Sequence, residues 1–509
     1  MAEEVVKQSR LLDDHPEQDY MREGLFRLKS PPRPKAGSNV SETFVKKVED
    51  FMKGVRLTEY GASESEKPPT IYKVPEEMKG RYKEVYNPIV VWIGLFNDDN
   101  ETRGAVLGYK WCCLRKLISR HHLLQEPERT PIVLRRCLEA LEGVLPRIIS
   151  SYIPRHHQIE YDDPGLRQSI LSIMLRDGCF ILHRLIKYAR IARREAAGSG
   201  ASDNIEEEDD DWTQVFGRCW VWGFVTCDLL LLENQIPFFV MQKLFQQLRT
   251  DPDESSDVLV AGALRLFRSL RPRKLHSSPI TGRDVHHLLH LFYLSVGLHE
   301  EAAVPATHHD PRRHAAPPSD LPQWIPSARE LEEAGVKFRA RKDAKSFLDV
   351  RFHGGFLEIP ELELYDYSEP LFHNLIAFEQ TYPFTPGHIT AYAIFMDCLV
   401  TSPEDMRLLH LSGVLVNQMN GERDAAGFFG RLCAEAHLAA DHNYLAGVIL
   451  EINRYQRSRW PRWRAALVRN YFSNPWVVMS LVAAILLLAL TMMQSFFSAY
   501  AYFKPPKQQ

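Results

Sequence analysis

No charged side chain occurs between Pro475 and Phe503, and the heart of that stretch reads WVVMSLVAAILLLALTMM, from Trp476 to Met493. A helix of about 20 apolar residues is what the hydrocarbon core of a bilayer requires. A helix apolar all round can also lie in the middle of a large soluble core. Here Trp476 at one end and Tyr500, Tyr502 and Lys504 at the other are residue types that settle at a membrane–water boundary. The stretch therefore reads as a single-pass anchor through Trp476, Leu487, Leu490 and Tyr500, with the lipid bilayer as its partner. A short tail, 504–509, follows it.

The cations set an expected orientation. Arg454, Arg457, Arg459, Arg462, Arg464 and Arg469 precede the span, and only Lys504 and Lys507 follow it. Positive flanks stay on the cytosolic side, so the bulk of the chain is expected in the cytosol, inserted as tail-anchored proteins are. The opening MAEEVVKQSRLLDDHPEQDY has no apolar run of the kind found in signal peptides. Two tripeptides, Asn39-Val40-Ser41 and Asn100-Glu101-Thr102, fit the glycan-acceptor pattern, which chance produces often.

The 509 residues, 45% hydrophobic and 25% charged, suit two or three packed units and exclude a disordered chain. A net charge of -3 gives no general attraction to nucleic acid, and the visible arginine cluster lies beside the membrane, where anionic headgroups are its natural contact. Eight cysteines without a C-x-x-C pair supply neither a zinc spacing nor a disulfide framework, so they read as buried thiols in a reducing compartment.

Periodicity predicts a mainly α-helical fold with a small β-hairpin region and the C-terminal transmembrane helix. Residues 1–69 read as a flexible lead with one amphipathic helix, on which Phe44, Val48, Phe51, Met52 and Val55 share a face. A body over 70–470 follows. Leu134, Leu138, Leu141, Leu145 and Ile148 mark one of its helix faces, and Ile170, Ile173, Met174, Ile181, Leu182 and Leu185 another. Two inserts, 198–212 (acidic) and 302–322 (rich in Pro, Ala and His), are expected to be exposed. The apolar stretches Trp220–Leu248 and Val285–Leu298 read as helical core, with Pro237 breaking the first. Alternation around Gly354-Gly355 within Phe347–Tyr367 predicts a hairpin, and Pro370 to Arg464 returns to helical spacing. The anchor, 475–503, closes the sequence of units.

The densest polar feature inside an apolar run is Leu232-Glu233-Asn234-Gln235-Ile236-Pro237-Phe238-Phe239. A carboxylate and two amides buried there must find partners. Either Glu233 is a general acid or base, or the triplet brackets backbone groups freed at Pro237; the second reading is preferred. Asn374-Leu375-Ile376-Ala377-Phe378-Glu379-Gln380 repeats the mixture, and contact between the two segments is plausible. Among 20 histidines, His286 and His290 stand one turn apart, yet no carboxylate lies between them as in H-E-x-x-H, so no metal site is expected. Asp98-Asp99-Asn100-Glu101 lacks the glycine and glutamate that a calcium loop needs. No nucleophile elbow, phosphate loop or dinucleotide fingerprint occurs, so no catalytic or cofactor-binding residue is assigned.

In order, Ile71-Tyr72-Lys73-Val74-Pro75, Tyr86-Asn87-Pro88, Asp177-Gly178-Cys179-Phe180-Ile181, the Leu232–Phe239 run, Ala334-Gly335-Val336-Lys337-Phe338, Asn374–Gln380, Tyr471-Phe472 and Asn474-Pro475-Trp476 resemble the plant family built on domain of unknown function 247. The resemblance covers about residue 70 to the C-terminus. It marks Tyr72, Pro75, Tyr86, Pro88, Gly94, Glu233, Asn234, Gln235, Pro237, Phe238, Asn374, Phe378, Glu379 and Gln380 as family-motif positions of structural kind. The chain departs from the family at Gly94-Leu95-Phe96-Asn97, where members typically show Gly-Pro-Tyr-His, so no histidine role carries over. What the resemblance implies is a membrane-anchored plant protein without an established activity, some of whose grass relatives are linked to self-incompatibility. The expected function is protein interaction or recognition with a protein partner still unidentified. The rival is a membrane-tethered enzyme using Glu233 or Glu379.

Overall fold

The computed structural model describes residues 69–80, 82–97, 104–120, 129–152, 163–198, 221–251, 253–271, 280, 285–298, 324–419, 426–434, 436–438, 443–458 and 475–503. The helix expected at 41–55, both glycan tripeptides, the acidic turn at 98–101, nearly all of the insert 198–212, the insert 302–322 and most of the juxtamembrane arginines lie outside these residues. Residues 69–97 carry one helical turn, α1 (Glu76–Lys79), and two 3-10 turns, Lys83–Tyr86 and Leu95–Asn97, and are otherwise irregular. Then come α2 (Gly104–Ser119), α3 (Arg129–Glu142), α4 (Leu145–Tyr152), α5 (Pro164–Ala196), α6 (Val221–Asp228), α7 (Phe238–Leu248), α8 (Asp257–Leu266) and α9 (Leu288–Val296).

Helix α5 is the post on which α2, α3, α7 and α8 pack. Asp163 starts it by accepting the Leu166 N–H at 3.0 Å, and Pro164 takes the first position, where no amide donor is needed. The predicted face of Ile170, Ile173, Met174, Ile181, Leu182 and Leu185 is buried, and burial runs right round the middle of the helix because neighbours approach from several sides. Gly262 of α8 lets that helix close on α5: a Cβ there would overlap the Leu185 carbonyl.

The second half holds α10 (Ala328–Glu333), capped by a reciprocal Ser327–Glu330 box. Then come β1 (Lys337–Arg341), β2 (Arg351–His353), β3 (Phe356–Pro360) and β4 (Leu362–Leu364), followed by α11 (Ser368–Thr381), α12 (His388–Leu399), α13 (Pro403–Leu411), β5 (Leu415–Asn417), α14 (Phe428–Cys433) and α15 (Ala446–Arg457). Gly354 and Gly355, with φ of 58° and 85°, turn β2 back on β3 as the predicted hairpin, His353 opposite Phe356. Two strands exceed that expectation. β1 joins β3 in parallel, and β5 pairs in parallel with β4 from inside the stretch expected to be helical. A three-residue parallel pair whose partner lies beyond three helices leaves no local period in the sequence.

Pro237 ends the expected break of the 220–248 helix, but the break spans 229–237, and Leu229, Leu230, Leu231 and Leu232 enter the core as irregular chain, each no more than 4% exposed. The last element, α16 (Pro475–Phe503), is long and apolar enough to span a membrane over Val482–Tyr500, and none of that window is buried. Leu487, Leu490 and Tyr500 are all exposed on it.

Gly262→Ala forces α8 off the Leu185 carbonyl and should lower unfolding stability by about 1–3 kcal/mol. Gly108→Ala, on α2 with open space around its position, should instead stabilise by about 0.5–1 kcal/mol. Denaturant titration of the two variants checks both signs.

Candidate functional site

The end of α6 and the break at 229–237 present four polar side chains, three of them fully buried, and all of them meet main chain. Asp228, the last residue of α6 and 2% exposed, accepts three consecutive N–H groups: Ile89 at 2.9 Å, Val90 at 2.7 Å and Val91 at 2.9 Å. Asn234 accepts the Ile93 N–H at 2.6 Å and donates to the carbonyls of Val91 and Asp228 at 2.9 and 2.8 Å. Gln235 donates to the Leu229 and Leu231 carbonyls, both at 2.8 Å, and accepts the Leu289 N–H at 3.2 Å. Glu233 accepts the Val74 N–H at 2.8 Å and pairs with Lys79 at 2.9 Å. Residues 70–97 are thus a strap laid over the body and held through its own backbone.

Other buried groups hold the same strap. The Asp177 carboxylate, fully buried on α5, takes Lys110 at 2.7 Å, Arg176 at 2.8 Å and the Gly94 N–H at 3.1 Å. Lys110 also donates to the Trp92 carbonyl. Gly94 has φ of 77°, and a Cβ there would overlap the Gln235 carbonyl, which already accepts the Tyr152 hydroxyl at 2.7 Å. Asn97 stands where the resembled family has histidine. It donates to the Glu233 carbonyl at 3.0 Å and to Asn234 Oδ1 at 3.1 Å, a structural rung.

The two polar runs do meet. Asn374 accepts the Leu232 N–H at 2.8 Å and donates to the carbonyls of Val85 at 3.0 Å and Pro370 at 2.8 Å, linking loop, strap and α11. Glu379 faces away from that junction. It accepts the N–H groups of Ile389 at 3.0 Å and Thr390 at 2.7 Å, the Thr390 hydroxyl at 2.7 Å and the Tyr293 hydroxyl at 2.8 Å, so it caps α12 across the turn. Burial pushes its carboxyl above the usual range even with these donors in place. Gln380 reaches the His437 main chain from both ends of its amide. Phe378 stacks on Tyr382 and meets His287 edge-on, Phe238 is buried with its N–H on the His286 carbonyl, and Pro237 caps the start of α7. At the strap, Tyr86 and Pro88 are buried, Tyr72 is half-buried, and Pro75 is exposed at the start of α1.

The histidines of 286–290 are engaged within the protein. His287 accepts the His290 N–H on Nδ1 at 3.2 Å, capping α9, while its Nε2 meets the Thr70 carbonyl at 3.0 Å. That pattern needs the neutral Nε2–H tautomer. Burial first, then His290 and His286, hold His287 well below its ordinary range. His286 meets the Tyr382 hydroxyl at 2.7 Å and stacks on His290. Among the described residues no group of three or more His, Cys, Asp or Glu is placed to hold a metal ion. Two of the buried thiols are held in the protonated, unreactive form: burial pushes Cys113 and Cys137 up to about 12.

Sequence reasoning missed Asp228, Lys110, Tyr152 and the carboxylate role of Asp177. Asp228 was findable as a second acid in the apolar run Cys227-Asp228-Leu229-Leu230-Leu231-Leu232. Lys110 and Tyr152 carry no such mark.

Asp228→Ala strands three strap amides and should cost at least about 3 kcal/mol, with faster hydrogen exchange at Ile89, Val90 and Val91. His373 packs between Tyr82 and Tyr86 on the strap side, and burial lowers it to about 4. It stays neutral when folded but protonates when unfolded below about 6.5, so its contribution is complete above that pH and is lost as pH falls toward 4. His373→Phe should therefore flatten the fall of stability between those pH values by about 1.4 kcal/mol per pH unit, read from denaturation at several pH values.

Comparison with known proteins agrees with the motif order. Residues 71–490 match the family DUF247, described as plant protein of unknown function. The chain is 27% identical over 451 residues to UPF0481 protein At3g47200 of Arabidopsis thaliana, covering 86% of this chain and 87% of that one. It is 30% identical over 184 residues to the putative UPF0481 protein At3g02645 of the same plant, covering 35% of each. No solved structure matches. With the family match running from the strap into the apolar C-terminal helix, the chain belongs to the plant DUF247 family.

Proposed function

We propose that this protein is a single-pass, tail-anchored membrane protein whose helical body faces the cytosol and works by binding another protein. The observation that carries the anchor is α16: its Val482–Tyr500 window is entirely exposed, an apolar surface that water would penalise and hydrocarbon would not. Arg454 and Arg457 in the last turn of α15 add to the cationic flank on the side of the body.

Binding is favoured over catalysis because the two candidate carboxylates already have occupations. Glu233 serves Val74 and Lys79, and Glu379 serves α12 and Tyr293. A general acid or base needs a lone pair or proton directed at a substrate, and each of these is directed at the fold. The inserts 198–212 and 302–322 are the proposed contact segments for the protein partner.

Protease treatment of intact microsomes carrying the full chain tests the orientation. Digestion of the body, with no change of mobility after glycosidase, is the expected result. A protected body that shifts on glycosidase treatment would place it on the lumenal side and make extracellular recognition the function instead.

A further inference from the structure

Helix α16 is apolar, yet its aliphatic hydroxyls and its single side-chain amide are not scattered around it. Within Pro475–Phe503 these are Ser480, Thr491, Gln494, Ser495 and Ser498. At 3.6 residues per turn Ser480, Ala484, Leu487, Thr491, Gln494 and Ser498 fall within an arc of about 80°, in the alternating steps of four and three residues that make a heptad seam. The opposite side carries Val482, Ile485, Met493, Phe496 and Tyr500, bulky side chains that acyl chains solvate well.

Gln494 is the member of the seam that lipid cannot satisfy. It is exposed, and among the described residues none exchanges a hydrogen bond with its amide, whereas the Thr491 hydroxyl already donates to the Leu487 carbonyl at 2.7 Å. Six residues, about 9 Å, separate Gln494 from the nearer end of the Val482–Tyr500 window. A helical side chain leans toward the N-terminus of its helix, which here is toward the middle of the window and away from that end. Hydrocarbon offers the amide neither donor nor acceptor, so it gains by meeting another polar group at the same depth.

We propose, resting on the single-pass anchor above, that α16 pairs in parallel with α16 of a second copy of this chain along this seam, the two Gln494 amides bonding each other. A primary amide holds both a donor and an acceptor, so two identical ones facing across a two-fold axis satisfy one another. Every copy enters the bilayer in the same direction and sets Gln494 at the same depth, so a second copy is in register without adjustment, whichever side the body faces. Ser480, Ala484 and Ser498 are small enough to let the two backbones approach. None of the Val482–Tyr500 window is buried against the body, so the seam is open to a partner.

The test is resonance energy transfer between donor- and acceptor-labelled full-length chains in phosphatidylcholine vesicles of increasing lipid content, after alkaline carbonate has washed away whatever is not inserted. It compares the natural chain, Gln494→Leu, Gln494→Asn and, on the opposite side, Met493→Leu. Because these positions touch nothing in the body, the variants keep its fold. The natural chain should show transfer above random encounter that falls on dilution. Gln494→Leu should raise the dissociation constant about 3- to 30-fold, Gln494→Asn, which keeps the amide, should retain most of the pairing, and Met493→Leu should match the natural chain. Natural chains that stay inserted yet transfer no more than random encounter would refute a second copy and leave the helix of another protein as occupant. Undiminished pairing of Gln494→Leu would refute the seam. A chain that carbonate strips from the vesicles would overturn the anchor itself and the pairing with it, a failure recognised before any transfer is measured.

Discussion

The buried carboxylate of Asp228 holding three successive amides of the strap is the contact on which the rest of the body's order depends. Outside the turns at 75–87, residues 70–97 have little regular structure of their own, so there their N–H and C=O groups do not satisfy one another as they would in a helix or sheet. Buried against α5, α6 and α11, each would be left without a partner. The chain solves this by ending α6 at Asp228 and unwinding the next nine residues, which frees Glu233, Asn234 and Gln235 to act as surrogate backbone.

Such a junction is stable only when complete. Asn234 alone touches the strap, the end of α6 and Asn97, and Asn374 ties the same loop to α11. A network of this kind in a low-dielectric core is strong when every donor and acceptor is matched and costly when one is missing. The Lys110–Asp177 pair follows the same rule: two buried charges are tolerable because the Gly94 amide, the Trp92 carbonyl and Arg176 take up the remaining bonding capacity. The motif that looks most like chemistry in this sequence is thus spent on architecture.

Charge distribution separates the junction from the 3-10 turn after α8, which Arg271 closes. Inside the junction every described carboxylate has a donor. At Arg271 the balance is reversed, with cations gathered and one shared acid beside them.

The sequence by itself determined the helical class, the hairpin at Gly354-Gly355, the buried face of α5, the apolar C-terminal helix and the family, because each is written in local period or ordered motif; the face read at Leu134, Leu138, Leu141, Leu145 and Ile148 is divided between α3 and α4, and on α3 the buried stripe is Val133, Cys137 and Leu141 while Leu138 is exposed. The sequence also marked Glu233, Asn234, Gln235, Asn374 and Glu379 as polar groups needing partners. Only the tertiary structure decided who those partners are. Asp228 finds amides 137 to 139 residues away, and Asn374 finds Val85 across 289. β4 finds β5 beyond three helices. A hydrogen bond to main chain carries no residue identity, so the side-chain partner of each pair is legible in the sequence while the main-chain partner is not; long-range closure, which folding alone resolves, fixes which stretch of backbone fills it.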